Sequence, residues 1–174
     1  MIRIGITGPE STGKSTLSTS LQKQFNCSLI KEFARGYLEE RAGKYNQADL
    51  DVIAQNQYDL MHQSTAKNDL IICDTELTVL KIWSEFKYQS CSNLINRLLT
   101  AQQINFYFLC DIDLPWEEDP LREHPTQRQE LFELYEEVLI QRNVPYCILS
   151  GNETERMQKA TQIIHEVIIQ INIK

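Results

Sequence analysis

Short, nearly continuous apolar runs alternate along the chain with longer stretches whose apolar residues recur every three or four positions. The runs Ile2–Thr7, Ser28–Glu32, Leu70–Asp74, Asn105–Asp111 and Tyr146–Leu149 have the length and side chains of buried strands. Helical spacing predicts helices over Lys14–Phe25, a short one over Arg35–Arg41 ended by Gly43, and one capped by Asn46 with Leu50, Ile53, Ala54, Leu60 and Met61 on one face. Two more follow, over Leu77–Phe86 and Leu94–Gln102. A further helix runs to about Arg142, with Thr126 and Gln129 at capping-box spacing. The last helix shows Met157, Ala160, Ile164, Val167, Ile168 and Ile171 on one stripe. Residues 111–125 hold Pro115, Pro120 and Pro125 and show no periodicity, as expected of an irregular segment.

Strands separated by helices predict a parallel sheet covered on both faces, with right-handed crossovers. At 174 residues, with no repeat, low-complexity tract or linker, one domain over 1–174 is expected. The composition, 42% hydrophobic and 24% charged, excludes a disordered tail, a collagen-like fibre and a small disulfide scaffold. A net charge of −7 without any block of Lys or Arg argues against nucleic acid or an anionic membrane as partner. Five cysteines with no C-x-x-C pair predict reduced thiols, and Cys73, Cys110 and Cys147, each in an apolar run, read as small buried hydrophobes. The opening Met-Ile-Arg-Ile-Gly lacks the pattern of a secretory leader, and no apolar run approaches the roughly 20 residues of a membrane span. The expected setting is cytoplasmic; oligomeric state is left open.

Chemistry enters at Gly8-Pro9-Glu10-Ser11-Thr12-Gly13-Lys14-Ser15, a complete G-x-x-x-x-G-K-[ST] motif set between a strand and a helix. Glycines at both ends let successive N–H groups converge on phosphate oxygens, and the helix N-terminus adds positive potential. Gly8, Glu10, Ser11, Thr12, Gly13, Lys14, Ser15 and Thr16 are therefore the expected nucleotide-binding residues. Lys14 is placed to reach the β- and γ-phosphates, and Ser15 to offer a hydroxyl to Mg²⁺. Asp74, at the end of the run Leu70–Asp74, is expected to hold the same ion; the competing role for Asp74 or Thr75 is to cap the next helix. The resulting fold class is a P-loop NTPase α/β sandwich of three layers, αβα, with a five-stranded parallel sheet.

A GTPase would need base-reading and switch elements. Ala66-Lys67-Asn68-Asp69 lacks the leading Asn or Thr, and no Asp lies three residues before a glycine. Leu149-Ser150-Gly151-Asn152 reads as a turn and cap. A short chain with arginines late in an irregular segment suits a small-molecule kinase, with a lid over about 111–128 that excludes water and brings Arg122 and Arg128 to the transferring phosphoryl group. The competing reading pairs these arginines with Glu118, Glu123 or Glu130.

Glu32-Phe33-Ala34-Arg35-Gly36-Tyr37, Cys73-Asp74-Thr75-Glu76 and Pro115-Trp116 through Asp119 to Arg122, followed by Arg128, add to the loop. Together these elements resemble the ribosylnicotinamide kinase domain of NadR-type proteins, over nearly the whole length. Pro120, Asp111 and Asp113 depart from the family pattern. The resemblance implies transfer of the γ-phosphoryl of Mg-ATP to the 5′-hydroxyl of nicotinamide riboside. His62, His124 and His165 form no H-x-G-H element, so an adenylyltransferase activity is not expected. A kinase for another nucleoside, nucleotide or small metabolite, and a nucleotide-dependent switch, are the alternatives.

Within that reading, Lys14, Arg122 and Arg128 would offset phosphoryl charge. Glu32 is the first candidate to take the acceptor's proton and Asp74 the second; an ion pair between Glu32 and Arg35 is the competing role. Arg35 either touches the acceptor or holds Glu32, and Tyr37 reads as packing. The resemblance implies that Trp116 stacks on the cationic pyridinium, for about 0.5–2 kcal/mol, with Asp119, Asp111 or Asp113 adding negative field; the competing role for Trp116 is to anchor the lid against the core. Trp83, in a helical pattern, reads as core.

Overall fold

The computed structural model describes residues 1–63 and 69–173. Its elements are β1 (Ile2–Thr7), α1 (Lys14–Phe25), β2 (Ser28–Ile30), α2 (Phe33–Glu39), α3 (Gln47–Gln63), β3 (Leu70–Asp74), α4 (Leu77–Tyr88), α5 (Asn93–Ala101), β4 (Phe106–Cys110), α6 (Arg128–Gln141), β5 (Tyr146–Leu149) and α7 (Glu153–Asn172). The strands form one parallel sheet in the order β2-β3-β1-β4-β5. The GTPase-like element Ala66–Asp69 lies, apart from Asp69, outside the described residues.

Alternation along the strands builds two cores. Ile2, Ile4, Ile6, Leu70, Ile72, Phe108 and Cys110 face α1 and α7, where Leu17, Leu21, Ala160, Ile164 and Val167 close the layer. On the other face, Ile71 and Cys73 pack with Leu50, Ile53, Leu80 and Leu98, while Tyr107 and Leu109 pack with Leu131, Tyr135 and Leu139. This is the helix–sheet–helix arrangement the pattern predicts. Gly5 keeps β1 close to that second face: a Cβ there would lie 3.2 Å from Tyr107 and 3.3 Å from Glu76. No described helix is long and apolar enough to cross a membrane.

The strand order places the functional end. From β1 the chain crosses to β2 at one edge of the sheet, comes back to place β3 between β2 and β1, and then passes to β1's other side for β4 and β5. Such a switch point opens a crevice beyond the strands' carboxyl ends, where the Gly8–Ser15 loop sits.

Several local expectations need correction. β2 stops at Ile30, so Glu32 is not in the strand but precedes α2 as its N-cap position. Helix α6 begins at Arg128 after Gln127, and no side chain caps it; Thr126 Oγ1 bonds the Gln127 side chain instead of backbone. Neither Asp74 nor Thr75 caps α4: Glu76 does, accepting the Thr78 N–H at 2.8 Å. A capping box does form, at Asn152 and Glu155 ahead of α7. All five cysteines are free, and Cys147 is only half-buried, its thiol on the Ile148 carbonyl.

Candidate active site

The loop after β1 is shaped by contacts that leave no room for side chains. Gly8 has φ +128° and a Cβ there would lie 2.9 Å from the Cys110 carbonyl oxygen; Gly13 has φ +75° and its Cβ would meet Leu114 at 2.9 Å. Gly13 is also the N-cap position of α1, so the helix N-terminus opens onto the loop. Thr12 Oγ1 donates to the Pro9 carbonyl at 2.8 Å, and the Lys14 ammonium donates to the carbonyls of Gly8 (2.8 Å) and Pro9 (2.5 Å). Ser11 stands in the left-handed region at φ 55°. Its hydroxyl accepts the Glu117 N–H at 2.8 Å and faces Arg122 Nη1 at 3.3 Å.

A cavity of about 420 Å³ lies over this loop. Residues 8 to 17, Glu32, Arg35, Arg122 and Arg156 line it, together with an apolar wall that includes Val79, Ile82, Trp83, Phe86 and Tyr135. Every loop residue expected at the nucleotide therefore lines one space with Glu32, Arg35 and Arg122.

Two carboxylates stand in the field of Lys14. Burial raises the pKa of Glu32, against the pull of Lys14 and with the push of Asp74. Burial likewise raises Asp74, against Ser15, Lys14 and Ser18. Asp74 is 6% exposed and does not line the cavity; its Oδ1 has no hydrogen-bond partner among the described residues. A buried carboxylate beside Ser15 with an open lone pair fits a Mg²⁺ ion carried in with phosphates, which binds through one or two protein oxygens.

The competing ion pair between Glu32 and Arg35 does not form. Arg35 pairs with Asp119 at 3.0 Å and Glu39 at 3.7 Å, so Asp119 binds an arginine instead of lining the cavity. Glu10 turns toward segment 111–127, accepting the N–H groups of Glu123 and His124 at 3.0–3.2 Å. Burial alone would raise its pKa, but the nearby His124 ring, at 3.7 Å, and those two amides outweigh it and hold Glu10 low. Arg128 does not line the cavity; it donates to the carbonyls of Leu114 (2.9 Å) and Ser11 (3.2 Å). Trp116 is also outside the lining. Its indole donates to Glu118 at 3.0 Å, and its ring lies 5.9 and 5.8 Å from the guanidinium carbons of Arg122 and Arg128. The tryptophan in the cavity wall is Trp83, which also packs against the core, as expected. Tyr37, as expected, packs: its hydroxyl bonds Asp49 at 2.6 Å and Arg41 covers its ring.

Sequence reading missed Arg156. It is 2% exposed and donates to the carbonyls of Thr12 (2.6 Å), Asp111 (3.0 Å) and Gly151 (2.9 Å), and pairs with Asp113. A trans peptide points its C=O and N–H oppositely. Holding the Thr12 carbonyl from behind therefore turns the Gly13 N–H away from Arg156. The available signal was positional: Arg156 stands four residues before Ala160, on the apolar stripe of α7, where an arginine must be buried and paired.

The sheet order, the loop and the crevice define a P-loop nucleotide-binding kinase fold. More narrowly, the chain belongs to the AAA domain family, whose model matches residues 3–156. It is 24% identical over 95% of its length to the trifunctional NAD biosynthesis/regulator protein NadR of Escherichia coli (strain K12), and spans 42% of that protein. Crystal structures of NadR protein superpose with TM-scores of 0.82 (in complex with NR, 20% identity) and 0.79 (with NAD and AMP-PNP, 19% identity). These cover 95% of this chain and 50% and 49% of those chains. Deoxyadenosine kinase from M. mycoides with bound dCTP matches at TM-score 0.64 and 14% identity, covering 95% of this chain and all of that one.

Arg156→Lys keeps the charge but not the fork that reaches three carbonyls. We expect it to weaken binding of a non-hydrolysable ATP analogue about tenfold in calorimetric titration; unchanged affinity would remove Arg156 from the phosphate cradle.

Proposed function

We propose that the protein transfers the γ-phosphoryl of Mg-ATP to the 5′-hydroxyl of nicotinamide riboside, giving nicotinamide mononucleotide. The observation that carries this reading is the shared lining. One cavity takes in a complete phosphate loop, a raised-pKa carboxylate and an aromatic wall. Its volume, about 420 Å³, is in the range of small-ligand sites. Trp83, Phe86 and Tyr135 line the cavity, and stacking of a ligand on aromatic rings favours a cationic ring over a neutral one. That assigns to Trp83 the stacking role expected of Trp116. The likeness to NadR protein bound to NR and to AMP-PNP supports the same acceptor and donor.

In this mechanism the main-chain N–H groups of residues 10–13 and Lys14 hold the triphosphate, and Arg122 offsets charge on the moving group. Mg²⁺ supplies further charge compensation at the phosphates, and Ser15 and Asp74 would hold it. Glu32 accepts the proton of the 5′-hydroxyl, which frees Asp74 for the ion. The lid over about 111–128 excludes water from the acceptor. Its contacts to Glu10, Ser11 and Arg35 support the closed position. Trp116 and Arg128 brace that segment: the ring lies by both arginines, and Arg128 ties Leu114 to Ser11.

The test is ADP release from Mg-ATP with a panel of nucleosides, nucleotides and small metabolites. Turnover dependent on nicotinamide riboside is the expected result. Turnover only with another acceptor, such as the deoxyadenosine suggested by the kinase of similar fold, would replace the acceptor and keep the enzyme. Hydrolysis independent of every acceptor would indicate a nucleotide-dependent switch.

A further inference from the structure

Three separate parts of the chain meet at one phenol oxygen. Tyr45, in the connection between α2 and α3, accepts the indole N–H of Trp83 at 2.7 Å and the ammonium of Lys87 at 2.6 Å; both donors come from α4. Its own hydroxyl proton goes to Glu123, at 2.9 and 3.0 Å from the two carboxylate oxygens. A hydroxyl has one proton and two lone pairs, so this oxygen is saturated. The rings of Tyr45 and Trp83 meet edge-on at 4.9 Å and 69°. Lys87 closes the circuit with Glu123 at 2.9 Å and lies 4.0 Å from the Tyr45 ring centre.

The two ends of this network have different duties. Trp83 belongs to the aromatic wall of the cavity, and Glu123 belongs to segment 111–127, where its N–H and that of His124 are bonded to Glu10 of the phosphate loop. Next to Glu123, His124 sets its ring edge-on against Phe86, a second member of the wall, at 5.0 Å and 84°. Without the phenol oxygen, the indole N–H and one donor position of Lys87 lose their partner, and the indole regains rotational freedom. Ordering an aromatic side chain in advance lowers the cost of stacking a ligand on it.

We propose that Tyr45 is a positioning residue for the acceptor. Its hydroxyl fixes the plane of the Trp83 indole and ties it through Glu123 to the lid, so that filling the aromatic wall and closing the lid favour each other. Tyr45 touches neither phosphate loop nor cavity and acts only through Trp83 and Glu123. The inference rests on the acceptor-kinase reading above, yet one of its readouts needs no turnover.

The experiment compares Tyr45→Phe with the unaltered chain. The expected result is a fivefold to tenfold rise in acceptor KM, with ATP KM within twofold, since only the wall is loosened. In a Trp116→Phe background Trp83 is the single indole. There Tyr45→Phe should increase acrylamide quenching of the free protein, and nicotinamide riboside should protect the indole in the parent more than in the variant. Glu123→Gln, which keeps an oxygen for the Tyr45 proton but loses the charge, should show the same asymmetry at smaller amplitude. If Tyr45→Phe does not fold, Glu123→Gln is read by the same criteria. Equal rises in both KM values, or an unchanged acceptor KM in a folded variant, would overturn the proposal. Should no acceptor be turned over by the parent, the kinase reading fails and quenching alone decides the role of Tyr45: no change between the two single-indole proteins refutes it.

Discussion

Lys14→Ala is expected to lower kcat/KM by about 10²–10³-fold, the cost of removing a charge-stabilising donor from a water-poor site. The ammonium sits inside the loop, on the carbonyls of Gly8 and Pro9, and can move from them to phosphate oxygens by rotation of its own stem. Lys14→Arg should not restore activity, because a planar guanidinium does not fit where a compact ammonium approaches carbonyls at 2.5–2.8 Å. The same substitution has an electrostatic consequence. Lys14 pulls down the pKa of both Glu32 and Asp74. Its loss raises both further, so the acid limb of the residual pH–rate profile should move to higher pH. Steady-state kinetics across pH check both effects; a profile that does not move would separate Lys14 from the two carboxylates.

Glu32→Gln should lower kcat by roughly 10²–10⁴-fold, the range for loss of a positioned general base, while ATP binding is retained. It should also make the fold more stable at neutral pH. Burial raises the pKa of Glu32, so the folded chain binds this proton more tightly than the unfolded chain. Stability from this group is then fully present below the unfolded value, about pH 4.3, and is lost as pH rises through the higher folded value. Glutamine is spared that loss. The variant's melting temperature should exceed the parent's at pH 7–8, and the gap should close near pH 4. Calorimetric melts at both pH values, beside kinetics, read the two effects in one protein. A kcat within about threefold of the parent's would move the base to Asp74.

These predictions rest on residues of very different visibility. Lys14 and the loop were legible because the motif is local: eight consecutive residues, a strand before them and a helix after. Glu32 was legible as a polar residue following an apolar run, though the strand ends at Ile30 and the neighbouring Arg35 pairs with Asp119 instead. Arg35 reaches Asp119, 84 positions away, once segment 111–127 lies beside α2. Trp116 misses the cavity and Trp83 lines it for the same reason. Helical spacing around Trp83 signals burial, and its ring is half-buried, but α4 turns it to a cavity whose other walls come from α6 and the loop. Nothing in the residues near Trp116 says that two arginines will occupy the space by its ring.

What the sequence by itself determined is the list of elements, the parallel class of the sheet and the phosphate cradle. Periodicity and dihedral preference act between neighbours, and a strand buried on both faces announces itself in its own side chains. Only the tertiary structure decided that β4 would return to the far edge of β1, that Arg156 would hold the Thr12 carbonyl, and that Tyr45 would join Trp83 to Glu123. Each of those contacts spans at least 38 residues, and its energy exists only after the intervening chain has closed. The composition of a segment therefore states that a polar group needs a partner, while the packing of the whole chain states which partner it finds.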